Sequence, residues 1–174
     1  MTWYNDDGLL VQFGDDHNDR ANQDNLAMAP STAGSEKEII INVVLDRLGT
    51  GVSYSTDLNN DGTKNGFNSG DPYIPAGAVV RSCELYMNET ATSGGSAVIE
   101  VGSYELDGSV IDANGFIAST AVAALGAGVG IEGAGADIGE AVSTTLNAYI
   151  GVDVNTAAFT AGEGKLVLKY VDVA

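Results

Sequence analysis

The stretch from Asp71 to Leu106, DPYIPAGAVVRSCELYMNETATSGGSAVIEVGSYEL, limits most sharply what this chain folds into. Asp71-Pro72 and Ile74-Pro75 keep the residue before each proline out of the α region, and Gly77 then permits a tight reversal. From there the residues alternate. Val79, Cys83, Leu85 and Met87 share one face, with Arg81 the exception, while Ser82 and Glu84 lie opposite. Thr92-Ser93-Gly94-Gly95-Ser96 is turn chemistry, and Ala97 to Leu106 resumes as strand. The stretch is a scaffold of strand, turn and strand, with nothing of a catalytic apparatus in it.

Other segments repeat the pattern. In Lys37 to Leu48, Ile39, Ile41, Val43 and Leu45 alternate against Ile40, Asn42, Val44 and Asp46. Apolar residues on both faces predict a central strand, or one sandwiched between the domain and a partner. Asn147 to Val154 places Ala148, Ile150, Val152 and Val154 inward, and Lys165 to Val173 closes the chain with Leu166, Leu168 and Tyr170 on one face. Phe116 to Leu125 has the composition of a short helix, and Ala141 to Thr145 that of a further strand. Gly126 to Gly139 is dense in glycine and predicts an extended loop or a thin edge strand. Short strands punctuated by turns predict a mainly β fold, an antiparallel β-sandwich or jelly-roll-like domain. Asp15 to Ser35 is polar and too long for an ordinary internal loop, which makes residues 1–36 an extended N-terminal arm or a peripheral segment and 37–174 the sandwich.

Composition narrows the function. The chain carries 24 acidic and 7 basic residues, a net charge of −17, so it repels phosphate and has no basic stripe for nucleic acid. The opening MTWYNDDGLLVQFG lacks a basic flank and a long apolar run, so neither a signal peptide nor a membrane anchor is expected. Synthesis in a cytoplasm follows. The single cysteine, Cys83, sits on the apolar face of a strand, where a small buried hydrophobe is the plain expectation.

The best metal signal is Asp57-Leu58-Asn59-Asn60-Asp61-Gly62. Asp57, Asn59 and Asp61 offer oxygens at the alternating positions of a calcium loop, with Gly62 at its sharp turn. The remainder departs from that pattern, with Asn68 where a bidentate carboxylate belongs and Lys64 in place of an apolar residue. An Asx-rich turn explains the same residues. A structural calcium is therefore the one cofactor the sequence offers, and no catalytic one is expected. Asp15, Asp16, His17, Asp19 and Asp24 cluster around the only histidine but lack transition-metal spacing. No GxSxG elbow exists, and the GxGxxG spacing of Gly128 to Gly133 has neither a leading strand nor a following helix. Aromatic side chains for a sugar platform look scattered, and no enzyme is expected.

The opening MTWYNDDGLLVQFG, the central IPAGAVVRSCELYMNETATSGGSAVIEVGSYELDGSVIDANGF and the closing AAFTAGEGKLVLKYV resemble virion structural proteins of tailed phages, marine ones especially. The resemblance implies a capsid decoration or cement protein on the outer shell. It would bridge major capsid subunits and self-associate as a trimer or dimer. The arm would reach a neighbour through Trp3, Tyr4, Leu9, Leu10, Val11 and Phe13. A neck, tail or knob component, or a calcium- or glycan-binding sandwich module, is the alternative.

Overall fold

A computed structural model of the chain describes residues 2–4, 10–12, 36–54, 67 and 69–172. Cα packing separates it into two units, Met1–Ser35 and Glu36–Ala174. In the first, β1 (Thr2–Tyr4) and β2 (Leu10–Gln12) form an antiparallel pair.

The second unit is built from β3 (Glu36–Val44), β4 (Gly51–Tyr54), β5 (Tyr73–Ile74), β6 (Val79–Met87), β7 (Thr92–Ser93), β8 (Val98–Tyr104), β9 (Val110–Ala121), β10 (Gly130–Glu132), β11 (Ala148–Asn155), β12 (Phe159–Ala161) and β13 (Glu163–Val171). One sheet has the order β10-β6-β13-β3; the other runs β4-β11-β8-β9, with β5 added beside β11. Every pairing is antiparallel.

Without the short β5, β7 and β12, eight strands remain in chain order among the described residues of this unit. The first of them pairs with the last (β3 with β13), the second with the seventh (β4 with β11), the third with the sixth (β6 with β10) and the fourth with the fifth (β8 with β9). A long antiparallel ribbon folded over in this way is the jelly roll, and its strands divide between two facing sheets. The fold is therefore mainly β and antiparallel, as the alternation predicts.

The inward faces of both sheets make one core. Ile41, Val43, Val80, Cys83, Leu85, Leu166 and Leu168 come from the first sheet, and Ile99, Val101, Phe116, Ile117, Ile150, Val152 and Val154 from the second. Each fully buried aliphatic side chain here contributes about 1.5–3 kcal/mol relative to exposure. Arg81, the interruption in the alternation of β6, is explained by register. Lys169 pairs with Ser82 and Tyr170 with Val80, so Arg81 is the extra residue of a bulge. The bulge carries the inward face from Val80 to Cys83, and Val79 stays only half-buried.

Two local expectations are overturned, and a third in one of its two forms. Phe116 to Leu125 is not a helix: β9 runs through to Ala121 and only Val122–Ala124 coils, as a single 3-10 turn. Pairing with β8 outweighs the weak helix preference of its alanines. Ala141 to Thr145 makes a single bridge, Ala141 to Val79, and otherwise turns. The strand at Ile39 is not central: among the described residues β3 is the outer strand of its sheet, with Ile40 57% exposed, and the alternative of a strand sandwiched against a partner stays open.

Gly128 to Gly133 forms β10 and its approach rather than a phosphate loop. A Cβ on Gly133 would meet the carbonyl oxygens of Cys83 and Phe116, each at 2.6 Å. That glycine serves close backbone packing between the sheets.

Candidate functional site

The expected arm residues Trp3, Tyr4, Leu10 and Val11 fall in the β1–β2 pair, where Trp3 is opposite Val11 and Tyr4 opposite Leu10. Leu9 and Phe13 lie outside the described residues, as do Asp57, Asn59 and Asp61 of the calcium-loop pattern and the acidic cluster around His17. Among the described residues no group of three or more His, Cys, Asp or Glu side chains is placed to hold a metal ion, and no helix is long and apolar enough to cross a membrane.

Cys83 is fully buried, and burial followed by the neighbouring Glu84 carboxylate pushes its thiol far above the ordinary range. The thiolate, the nucleophilic form, is disfavoured there. Among the described residues the one carboxyl held high is Asp137. Burial is the main cause and the charge of Asp112 adds to it, while a hydrogen bond from the Ser103 hydroxyl at 3.0 Å opposes both.

The outer face of the five-stranded sheet gathers aromatic side chains that are scattered in sequence. Tyr104 and Phe67 have ring centroids 5.8 Å apart, Phe67 and Tyr149 5.3 Å, and Tyr149 and Tyr73 5.8 Å. Phe67, Tyr104 and Tyr149 are buried, so this is a satellite core rather than an open sugar platform. One glycine, Gly151, makes room for it. Gly102 and Gly151 face each other across β8 and β11, and the Tyr104 ring lies against Gly151.

The surface feature best built for contact lies at the end of this sheet. Glu105, Leu106, Asp107, Leu146, Asn147 and Tyr149 line an open groove of about 410 Å³. Two turns hold its apolar tips outward. In the β8–β9 turn, the Glu105 N–H donates to the Ser109 carbonyl at 2.8 Å, the Gly108 N–H donates to the Glu105 carbonyl at 3.0 Å, and Gly108 adopts φ +88°. The Ser109 N–H donates to the Asp107 carboxylate at 2.9 Å, and such bonds from Ser109 hold that carboxyl below its ordinary range. Opposite, the N–H groups of Thr145 and Leu146 donate to the Ser143 hydroxyl at 3.3 and 3.1 Å. Leu106 is left 46% exposed and Leu146 47%, with Val110 at 59% and Tyr73 at 37% on strands beside them. An apolar floor with the acidic rim of Glu105 and Asp107 suits a partner that offers an apolar side chain next to basic ones.

The outer face of the four-stranded sheet has different chemistry. Lys165 stands beside Asn42 and Tyr86, Val167 beside Ile40 and Glu84, and Lys169 beside Glu38 and Ser82. The Tyr86 hydroxyl donates to Glu84 Oε2 at 2.6 Å. Asp107-Gly108 is a turn dipeptide by residue type, but nothing local to it foretells its meeting with Leu146. Leu106 and Leu146 are 40 positions apart and are joined only by the pairing of β8 with β11.

No protein-family model matches the sequence, and no curated protein matches it. Solved structures do resemble the fold. A chain from the capsid of Ralstonia phage GP4 superposes with a TM-score of 0.52 at 17% identity, over 83% of this chain and 88% of that one. A chain of the cyanophage Pam1 capsid asymmetric unit gives 0.46 at 14% identity, over 83% and 90% of the two chains. A chain of the acid-stable capsid of Helicobacter pylori bacteriophage KHP30 gives 0.49 at 14%, over 80% and 95%. At such identities the likeness to the GP4 capsid chain is one of fold.

Proposed function

We propose that this chain is a non-enzymatic structural protein of a tailed-phage virion, of the decoration or cement type, bound on the outer face of the shell. The observation that carries the reading is the whole-domain likeness to a chain of the GP4 capsid, which spans 88% of that chain rather than a shared motif. The chemistry of the domain supports it. Its sulfur nucleophile is buried with a raised pKa, its aromatic cluster is packed away, and the exposed Leu106 and Leu146 meet at one groove.

In this reading the groove between Leu106 and Leu146, with the 1–36 arm and its Trp3, Tyr4, Leu9, Leu10, Val11 and Phe13, contacts the major capsid protein. The action is mechanical. A protein that touches several capsomers makes its later contacts intramolecularly, which raises the free energy needed to separate them.

Cosedimentation of the purified chain with undecorated, expanded shells of the major capsid protein tests this. Saturable binding at a stoichiometry set by lattice symmetry is expected, with occupancy lowered when residues 1–35 are removed. A stable soluble protein that ignores shells would overturn the decoration role and direct attention to neck or tail assemblies.

A further inference from the structure

The nine-residue strand β3 forms a long, regular edge of the four-stranded sheet. Other edges are guarded. β10 has three residues, β4 has four, and β9 is bulged and covered where the N–H groups of Gly135 and Asp137 donate to the Phe116 and Gly115 carbonyls at 3.1 and 2.9 Å. β3 has no bulge in its ladder with β13, no proline, and no charge between Glu38 and Asp46. No described strand lies on its outer side. A straight edge of this kind, rich in β-branched residues and uncharged from Ile39 to Val44, pairs with another strand unless something covers it.

The hydrogen-bond phase fixes what the edge offers. The Leu45 N–H donates to the Gly162 carbonyl at 2.8 Å, continuing the register in which Val44 faces Glu163. Alternation then turns the odd-numbered backbone groups of β3 toward β13 and the even-numbered ones outward. Glu36, Glu38, Ile40, Asn42 and Val44 thus present their N–H and C=O groups to the free edge, and the same residues carry the side chains of the outer face.

We propose that the edge is covered by β3 of a second copy of this chain, antiparallel about a two-fold axis at Ile40, which makes one continuous eight-stranded sheet. Ile40 is the midpoint of the strand, so this register pairs all of it. Ile40 faces Ile40, Glu38 faces Asn42 of the second copy, and Glu36 faces Val44 of the second copy. No like charges face each other, although the chain has a net charge of −17.

The neighbouring strand extends the match. Val167 stands beside Ile40, so an apolar row of Val167, Ile40 and their counterparts crosses the axis. Lys169 stands beside Glu38 and Lys165 beside Asn42, so each Glu38 lies in a row with a lysine at either end. The contact is isologous and closes on itself, which stops further growth along the edge. The proposal stands whether or not the chain is a virion component.

The test uses the full chain, by solution mass and by cysteine pairing. The wild type is expected to run as a dimer. Asn42→Pro removes an outward N–H that the monomer does not use, and it should give a folded monomer by circular dichroism. Ile40→Lys, which places like charges on the axis, should do the same and serves if the proline variant unfolds. Under mild oxidation Ile40→Cys should cross-link to itself, since facing residues of a hydrogen-bonded pair lie about 5.5 Å apart and a disulfide spans that distance. Glu38→Cys or Asn42→Cys alone should not cross-link, whereas their mixture should. A monomeric or trimeric wild type, a dimer that survives both substitutions, or self-cross-linking at 38 or 42 overturns the proposal.

Discussion

Replacing Gly151 with alanine tests how the second sheet is assembled. Gly151 sits mid-strand in β11, paired with Gly102 on one side and Tyr54 on the other. A Cβ at this position would stand 2.5 Å from Cε2 and 2.7 Å from Cδ2 of Tyr104. Ordinary carbon contacts lie at about 3.5–4.0 Å, so the ring must retreat by roughly 1 Å. It has no room to do so, because Tyr104 is 0% exposed and lies under Phe67.

Overpacking of this kind costs about 1–3 kcal/mol. For a domain of this size each kcal/mol lowers the midpoint of thermal unfolding by roughly 3–4 °C, so a drop of about 3–12 °C is expected. Urea unfolding of a double-mutant cycle isolates the contact. Tyr104→Ala costs about 3–5 kcal/mol by itself. In that background Gly151→Ala should cost under about 0.5 kcal/mol, because the ring it would strike is gone. An equal cost in both backgrounds, or none in the wild type, would refute the packing argument.

Asp137 supplies a pH test. Its carboxyl is raised, by burial first and by Asp112 next, so the folded state binds its proton more tightly than the unfolded chain does. Its contribution to stability is full below the ordinary carboxylate value of about 4 and is lost as pH rises through the folded value. Asp137→Asn should raise the melting temperature at neutral pH and flatten its rise on acidification; parallel pH profiles for the two proteins would count against this. Leu106→Asp and Leu146→Asp should leave the melting temperature nearly unchanged, since both side chains are largely exposed, while reducing shell occupancy; unaltered occupancy removes the groove from the contact. If Asp57, Asn59 and Asp61 hold a structural calcium, added calcium raises the melting temperature and Asp57→Ala abolishes the rise; a melting curve indifferent to calcium and chelator excludes the site.

Alternation alone determined much of this protein. Ile41 and Val43, Leu85 and Met87, Ile150, Val152 and Val154, and Leu166 and Leu168 are inward in the fold because a strand has a side-chain period of two, which any reader of the chain can count. Turn positions were plain only in part, since Asn114-Gly115, a turn dipeptide by type, lies inside β9 and Thr92-Ser93 forms β7. Asp107-Gly108 makes its turn with Gly108 at positive φ because that conformation strains every residue with a Cβ.

The tertiary structure decided the rest, for reasons no local window contains. Strand order depends on pairings such as Glu36 with Val171, which close at the two ends of the domain. The apolar residues on both faces of β3 are compatible with a central strand, and only the ladder shows β3 at the edge with Ile40 bare. FIASTAVAAL has a composition that suits a helix, and β8 as a neighbour draws most of it into a sheet. The aromatic cluster and the groove share that origin. Tyr104 and Tyr149, and likewise Leu106 and Leu146, lie far apart along the chain, and they meet because antiparallel pairing of β8 with β11 brings together residues that sequence order separates.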